Sequence, residues 1–203
     1  VVAEQVEQSL QRIRTFRQRM TTEVALAYGT TPEQGRDVMG WYGEFLDDMA
    51  AHLEFHPFLL GERPTVADFV ISGGFAAHFD NDLYPRNFVL DRQPSVLAYA
   101  EYCWNTEYSD KGWLPDDQIP ETWQPFFEAM QKHYLPYLMA NREALDSGAA
   151  TVDMDFGFGM VSTPCRAYQE LSRLDIRDEI LRLPVDDLAR VRRAIPEGVL
   201  EIS

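Results

Sequence analysis

His52 and His56 stand one helical turn apart, a spacing that puts two imidazoles on one face and could hold a divalent metal. Pro57 follows directly, Glu54 points elsewhere, and no third ligand is indicated nearby. The expected reading is a pair of helix-end histidines favoured by the dipole, with no metal. Asp153 and Asp155 are a second pair of possible ligands. They alternate with Val152, Met154 and Phe156, so on a strand they form the wet face opposite an apolar one. Cys103 and Cys165 sit in apolar helical settings with no adjacent Lys or His to activate a thiolate. Cys165, beside Arg166 and near a helix start, is the less inert. One disulfide is formally open to them, but packed, reduced thiols of a cytoplasmic protein are expected. No Ser-His-Asp spacing, glycine-rich phosphate loop or CxxC pair stands out.

The elements that would position these groups read as helices. Residues 3–27 form one amphipathic pattern, with Val6, Leu10, Ile13, Met20, Val24 and Ala27 on one stripe and Ser9, Arg12, Phe16, Arg19 and Glu23 on its neighbour. Gly29 to Pro32 separate it from a second helix that reaches about His56, capped by Thr31, with Val38, Trp41, Phe45, Met49 and Leu53 inward. The two are expected to pack antiparallel. A turn at Gly61 leads to a third helix. Thr65 can accept from the N–H of Asp68, and Asp68 can reach back to the N–H of Thr65, so the pair reads as a capping box with Asp68 buried. Val66, Phe69, Val70 and Gly73 follow at helical spacing, which marks this helix as central and sustained to about residue 80. Gly73 and Gly74 each cost roughly 1 kcal/mol in a helix relative to Ala, which is expected where another helix approaches closely.

Residues 81–93 read as irregular because of Pro85 and Pro94. A fourth helix carries Val96, Leu97, Ala100, Cys103 and Trp104. The stretch 109–120, rich in Asp, Gly and Pro, is the expected mobile or variable segment. A fifth helix, 121–145, should kink at Pro136. A strand or hairpin arm spans 152–160. Pro164 then opens a helix with Tyr168, Leu171 and Leu174 inward, and Pro184 a last one with Leu188, Val191 and Ile195 inward. The fold class is therefore all-α, a helical bundle with one short extended excursion near residues 151–161.

Composition sets the outer limits. The 203 residues are 45% hydrophobic and 25% charged, enough for one good core or two small ones. A net charge of -15 disfavours nucleic acid and anionic membrane surfaces as partners. No apolar run is long enough to span a bilayer. The chain begins Val1-Val2 with nothing resembling a signal peptide, as a processed start or as a piece of a longer chain.

Leu60-Gly61 followed by Pro64-Thr65-Val66-Ala67-Asp68-Phe69, after two long helices, resembles the C-terminal helical domain of the cytosolic glutathione transferases. Gln93-Pro94-Ser95-Val96-Leu97-Ala98-Tyr99 is similar to that family's next helix, and Met154 to Leu174 to the tail of some bacterial members. The resemblance implies a single helical domain over 1–203, with core helices in 1–110 and a family-variable extension in 111–203. It implies that the capping box nucleates the domain without doing chemistry. The glutathione site and the thiol-activating Tyr, Ser or Cys of the family lie in an N-terminal thioredoxin-like domain, of which this chain carries no pattern, so no catalytic residue is assigned. The family's first helix lines the hydrophobic-substrate cleft. Carried over, that makes Ser9, Arg12, Phe16, Arg19 and Met20 the substrate-binding candidates, the arginines suiting an anionic group such as a glutathione carboxylate. As a run of charge, Arg12, Arg14, Arg17 and Arg19 read equally as a solvated face or a subunit contact. The implied partners are glutathione as a non-covalent cosubstrate, a small electrophilic or hydrophobic substrate, and a second copy of the chain in a homodimer through the first two helices. The alternative is a non-catalytic interaction or assembly module of the same fold.

Overall fold

Helical periodicity along most of the chain is realised as helices in the computed structural model, which describes residues 2–20, 30–31, 33–79, 81–107 and 110–196. The helices are α1 (Val2–Arg19), α2 (Gly35–Leu53), α3 (Val66–Gly74), α4 (Leu83–Arg92), α5 (Pro94–Asn105), α6 (Gln124–Ala129), α7 (Leu135–Asp146), α8 (Ala167–Arg182) and α9 (Val185–Ala194). Strands β1 (Thr151–Asp155) and β2 (Met160–Pro164) make a two-stranded antiparallel sheet between α7 and α8. The protein is thus mainly α with one small sheet. Among the described residues no helix is long and apolar enough to cross a membrane.

The chain falls into two compact units. One comprises Met39–Lys132 with Asp178–Ser203. Its core gathers Leu46 and Met49 of α2, Phe58 and Leu59, Phe75, Val89 of α4, and Val96, Tyr99, Ala100 and Cys103 of α5. Polar local chemistry fixes how these elements enter it. At the Phe58–Gly61 turn, Gly61 has φ +126, and a Cβ there would stand 2.9 Å from the Leu114 nitrogen, so only glycine fits. The Leu114 N–H donates to Leu60 O at 2.9 Å and the Glu62 N–H to Gly112 O at 3.2 Å. Arg63 lies over the Trp113 ring at 4.8 Å. Residues 112–114, expected within a mobile loop, are therefore tied to the turn that precedes α3.

Three further elements depart from their sequence expectation, one of them in two ways. Leu83–Arg92 is a helix where irregular chain was expected, because Pro85 falls in its first turn, where a missing N–H breaks no bond. The third helix stops at Gly74 and continues as a π-helical turn, Phe75–Phe79. The fifth is not continuous: α6 passes through a second π turn, Met130–Tyr134, before Pro136 enters the first turn of α7. In α3, finally, the face expected to be central is turned outward, with Val66 79%, Phe69 50% and Val70 70% exposed. The buried positions are Asp68 and Ser72. The polar anchor described below outranks the apolar stripe in setting the rotation of this helix.

The second unit comprises Val1–Val38 with His133–Arg177. In its core Tyr137 and Leu138 of α7 pack with Val152 of β1. Thr31 and Gln34 form a reciprocal cap ahead of α2: the Thr31 N–H donates to Gln34 Oε1 at 2.9 Å and the Gln34 N–H to Thr31 Oγ1 at 3.3 Å. The strands pair from Thr151↔Pro164 to Asp155↔Met160, so the expected strand turns back after Asp155. The Asp155 carboxylate accepts the N–H groups of Gly157 (2.8 Å) and Gly159 (3.1 Å), which closes the hairpin. Tyr168 and Leu171 of α8, expected inward, are exposed, and the buried residue of that helix is Arg173. Its guanidinium grips Glu170 with two nitrogens, Nε to Oε2 at 2.8 Å and a terminal nitrogen to Oε1 at 2.6 Å. The buried Asn141 amide pins the backbone ahead of α8, donating to Arg166 O (3.1 Å) and accepting from its N–H (2.8 Å). The Asn141 clamp sets the rotation of α8 against its apolar pattern. Residues 4–20 are exposed throughout, so the stripe Val6, Leu10, Ile13 and Met20 is not an inward face; Val24 and Ala27 lie outside the described residues.

Candidate functional site

Asp68 is a bonding hub of the unit that holds α3. It sits on the first turn of α3 and is fully buried. Its Oδ2 accepts the Thr65 N–H and the Thr65 hydroxyl, each at 2.7 Å, while Thr65 Oγ1 accepts the Asp68 N–H at 3.4 Å. Oδ1 accepts the Leu59 N–H at 2.8 Å and the Tyr99 hydroxyl at 2.9 Å. Four donors use the acceptor capacity of the carboxylate. Burial first, and the Asp68 charge second, hold the Tyr99 hydroxyl well above its ordinary range, so it stays a donor. With its bonds consumed inside the fold, this cluster positions α3 and offers nothing to a ligand.

The same holds for His52. Its Nδ1 lies 2.8 Å from the Thr122 hydroxyl and its Nε2 3.1 Å from Phe58 O. Burial lowers its pKa, with the Phe58 carbonyl opposing in part. Both ring nitrogens are therefore engaged, although the His52 and His56 rings do sit 5.3 Å apart. Among the described residues no group of three or more His, Cys, Asp or Glu is arranged to hold a metal. Burial pushes the Cys103 thiol up to about 11, the wrong direction for a nucleophile. The Cys165 thiol donates to Ala149 O at 3.2 Å.

Ser9, Arg12, Phe16, Arg19 and Met20 share the exposed surface of one helix and its end. The Ser9 hydroxyl turns back to Gln5 O at 2.9 Å, within α1. The neighbouring Arg14 reaches Glu7 at 3.5 Å. Exposure on a single convex helix gives these five no concave setting of their own.

A concave setting lies elsewhere, within the unit that holds α3. A cavity of about 520 Å³ opens between the end of α3, its π turn, α4 and α5. The π turn directs Phe75 and Phe79 toward the core, where Phe79 stacks on Tyr42 at 4.6 Å. Ala76 and Ala77 are left to line the cavity with Gly73. A Cβ at Gly73 would meet nothing within 4 Å, so no helix crosses there, contrary to the close approach expected from its glycines. Leu97 and Ala100 of α5 form the apolar wall; Arg86 of α4 and Glu101, Trp104 and Asn105 of α5 supply the polar and aromatic lining. In sequence Arg86 falls in the stretch read as irregular, and Leu97, Ala100 and Trp104 read only as the apolar positions of a helix. The visible trace was the run of small residues Gly73, Gly74, Ala76 and Ala77, which signals missing volume without saying what fills it.

Comparison of the chain with protein-family models, with curated proteins and with solved structures gives no match.

Proposed function

We propose that this chain is the helical domain of a glutathione-transferase-like protein and contributes the hydrophobic-substrate side of a glutathione conjugation site. The observation that supports this reading best is the Thr65–Asp68 capping box at the head of α3, with Asp68 also bonded to Leu59 and Tyr99. In the family it resembles, such a box nucleates this domain. Glutathione would be a cosubstrate held without a covalent bond, and its thiolate would attack the electrophilic carbon of a small apolar substrate. The residue that activates the thiol would lie outside this chain, in keeping with Cys103, which is buried in the wrong protonation range. Arg12 and Arg19 of α1 would meet an anionic group of the conjugate, and the protein would act in the cytoplasm as a homodimer. The outward apolar face of α3, Val66, Phe69 and Val70, favours the second reading, a non-catalytic assembly module.

One experiment separates the two. The full-length protein should bind immobilised glutathione and conjugate 1-chloro-2,4-dinitrobenzene, and light scattering should give a dimer. A full-length protein that neither binds nor turns over rejects the transferase reading. If it is then dimeric the assembly reading stands, and if it is strictly monomeric both fall.

A further inference from the structure

We propose that the cavity between α3, α4 and α5 binds a small amphipathic zwitterion, of the class of an aromatic amino acid or a short peptide ending in one. Three observations carry this. The cavity, about 520 Å³, is within the range of small-molecule sites, roughly 300–1,000 Å³. Its lining combines an apolar floor with charges of both signs: Arg86 from α4 for a carboxylate, Glu101 from α5 for an ammonium group. Trp104, one turn from Ala100 on the same helix, is 72% exposed and presents an indole on which a flat ring can stack. Arg86 already interacts within the fold, and its five N–H donors leave room for a ligand oxygen besides.

The backbone supports the same conclusion from a different direction. Gly73 weakens α3 and no packing requires it, since an added Cβ would enter open space. The π turn that follows is a rare conformation, and it turns two phenylalanines inward and two alanines toward the cavity. Bulk is absent here on two consecutive turns of chain, on the one side that carries Arg86, Glu101 and Trp104. This inference is independent of the glutathione reading, since none of the α1 candidates lines the cavity.

The test is calorimetric titration of the 203-residue chain with three probes of one shape: 3-(1-naphthyl)alanine, 3-(1-naphthyl)propanoate and 2-(1-naphthyl)ethylamine. Saturable one-to-one binding is expected, tightest for the zwitterion. Gly73→Leu, which projects a side chain into the cavity, should abolish it while circular dichroism and melting temperature show an intact fold. Trp104→Ala should weaken it roughly tenfold. Glu101→Gln should remove the advantage of the zwitterion over the propanoate, a readout that does not depend on Gly73→Leu folding. No saturable binding, equal affinity for the three probes, or binding untouched by both Gly73→Leu and Glu101→Gln overturns the proposal.

Discussion

Asp68 shows how much one side chain can determine. Its carboxylate closes the head of α3, holds the Leu59 turn and receives the Tyr99 hydroxyl of α5, all without access to water. A buried acceptor with four donors is worth far more when lost than when made, because each abandoned donor keeps its desolvation cost. Asp68→Asn preserves the shape but turns an N–H₂ group toward N–H and O–H donors. It should destabilise the protein by roughly 3 kcal/mol, and Tyr99→Phe, which removes one donor, by roughly 1 kcal/mol. Urea unfolding monitored by circular dichroism measures both. An unchanged midpoint for Asp68→Asn would mean the hub does not hold the fold.

At the scale of elements, the join between the end of α2, the Phe58 turn and the segment before α6 is made by the His52 imidazole, whose charged form burial disfavours. In its neutral form His52 receives the Thr122 hydroxyl at Nδ1 and donates Nε2–H to Phe58 O, so both contacts are made without a buried charge. Its pKa in the folded protein is lowered, chiefly by burial. The stability it contributes is therefore fully present above the unfolded value of about 6.5 and is lost as pH falls through the folded value, at no more than about 1.4 kcal/mol per pH unit. Unfolding free energies at pH 8, 6.5 and 5 should show that slope below pH 6.5, and His52→Gln should flatten it. A slope that survives the substitution assigns it to another group. Helix starts were the part of this architecture that the sequence made legible. Thr31, Thr65, Pro94 and Pro184 announce helices within a turn of where they begin, because capping and the geometry of proline are local physics. Rotation was less legible. The apolar stripes of α3 and α8 point outward because Asp68 bonds to Leu59 and Tyr99 at one helix, and because Asn141 clamps Arg166 ahead of the other. The Asp68–Tyr99 and Asn141–Arg166 contacts join residues far apart in sequence, which periodicity does not register. The cavity was illegible for a related reason: Arg86, Glu101 and Trp104 converge only once α4 and α5 are folded beside the π turn.

The whole molecule is two compact units, and each holds one thiol: Cys103 in the core with Val96 and Tyr99, Cys165 beside Tyr137 and Val152. Their settings differ sharply. Cys103 is almost fully buried and its thiol is pushed up by that burial, whereas Cys165 is half-buried with its sulfur on Ala149 O. The thiolate is the reactive form, so iodoacetamide under native conditions should modify Cys165 first and reach Cys103 only when its unit opens. Mass spectrometry of the labelling time course should resolve the two, and equal rates would mean that the core around Cys103 is open. The two thiols thus become a pair of clocks. Run across a urea gradient, the rise of each labelling rate above its native value reports the opening of the unit that holds that thiol, so the chain carries its own measure of whether its halves unfold together or in turn.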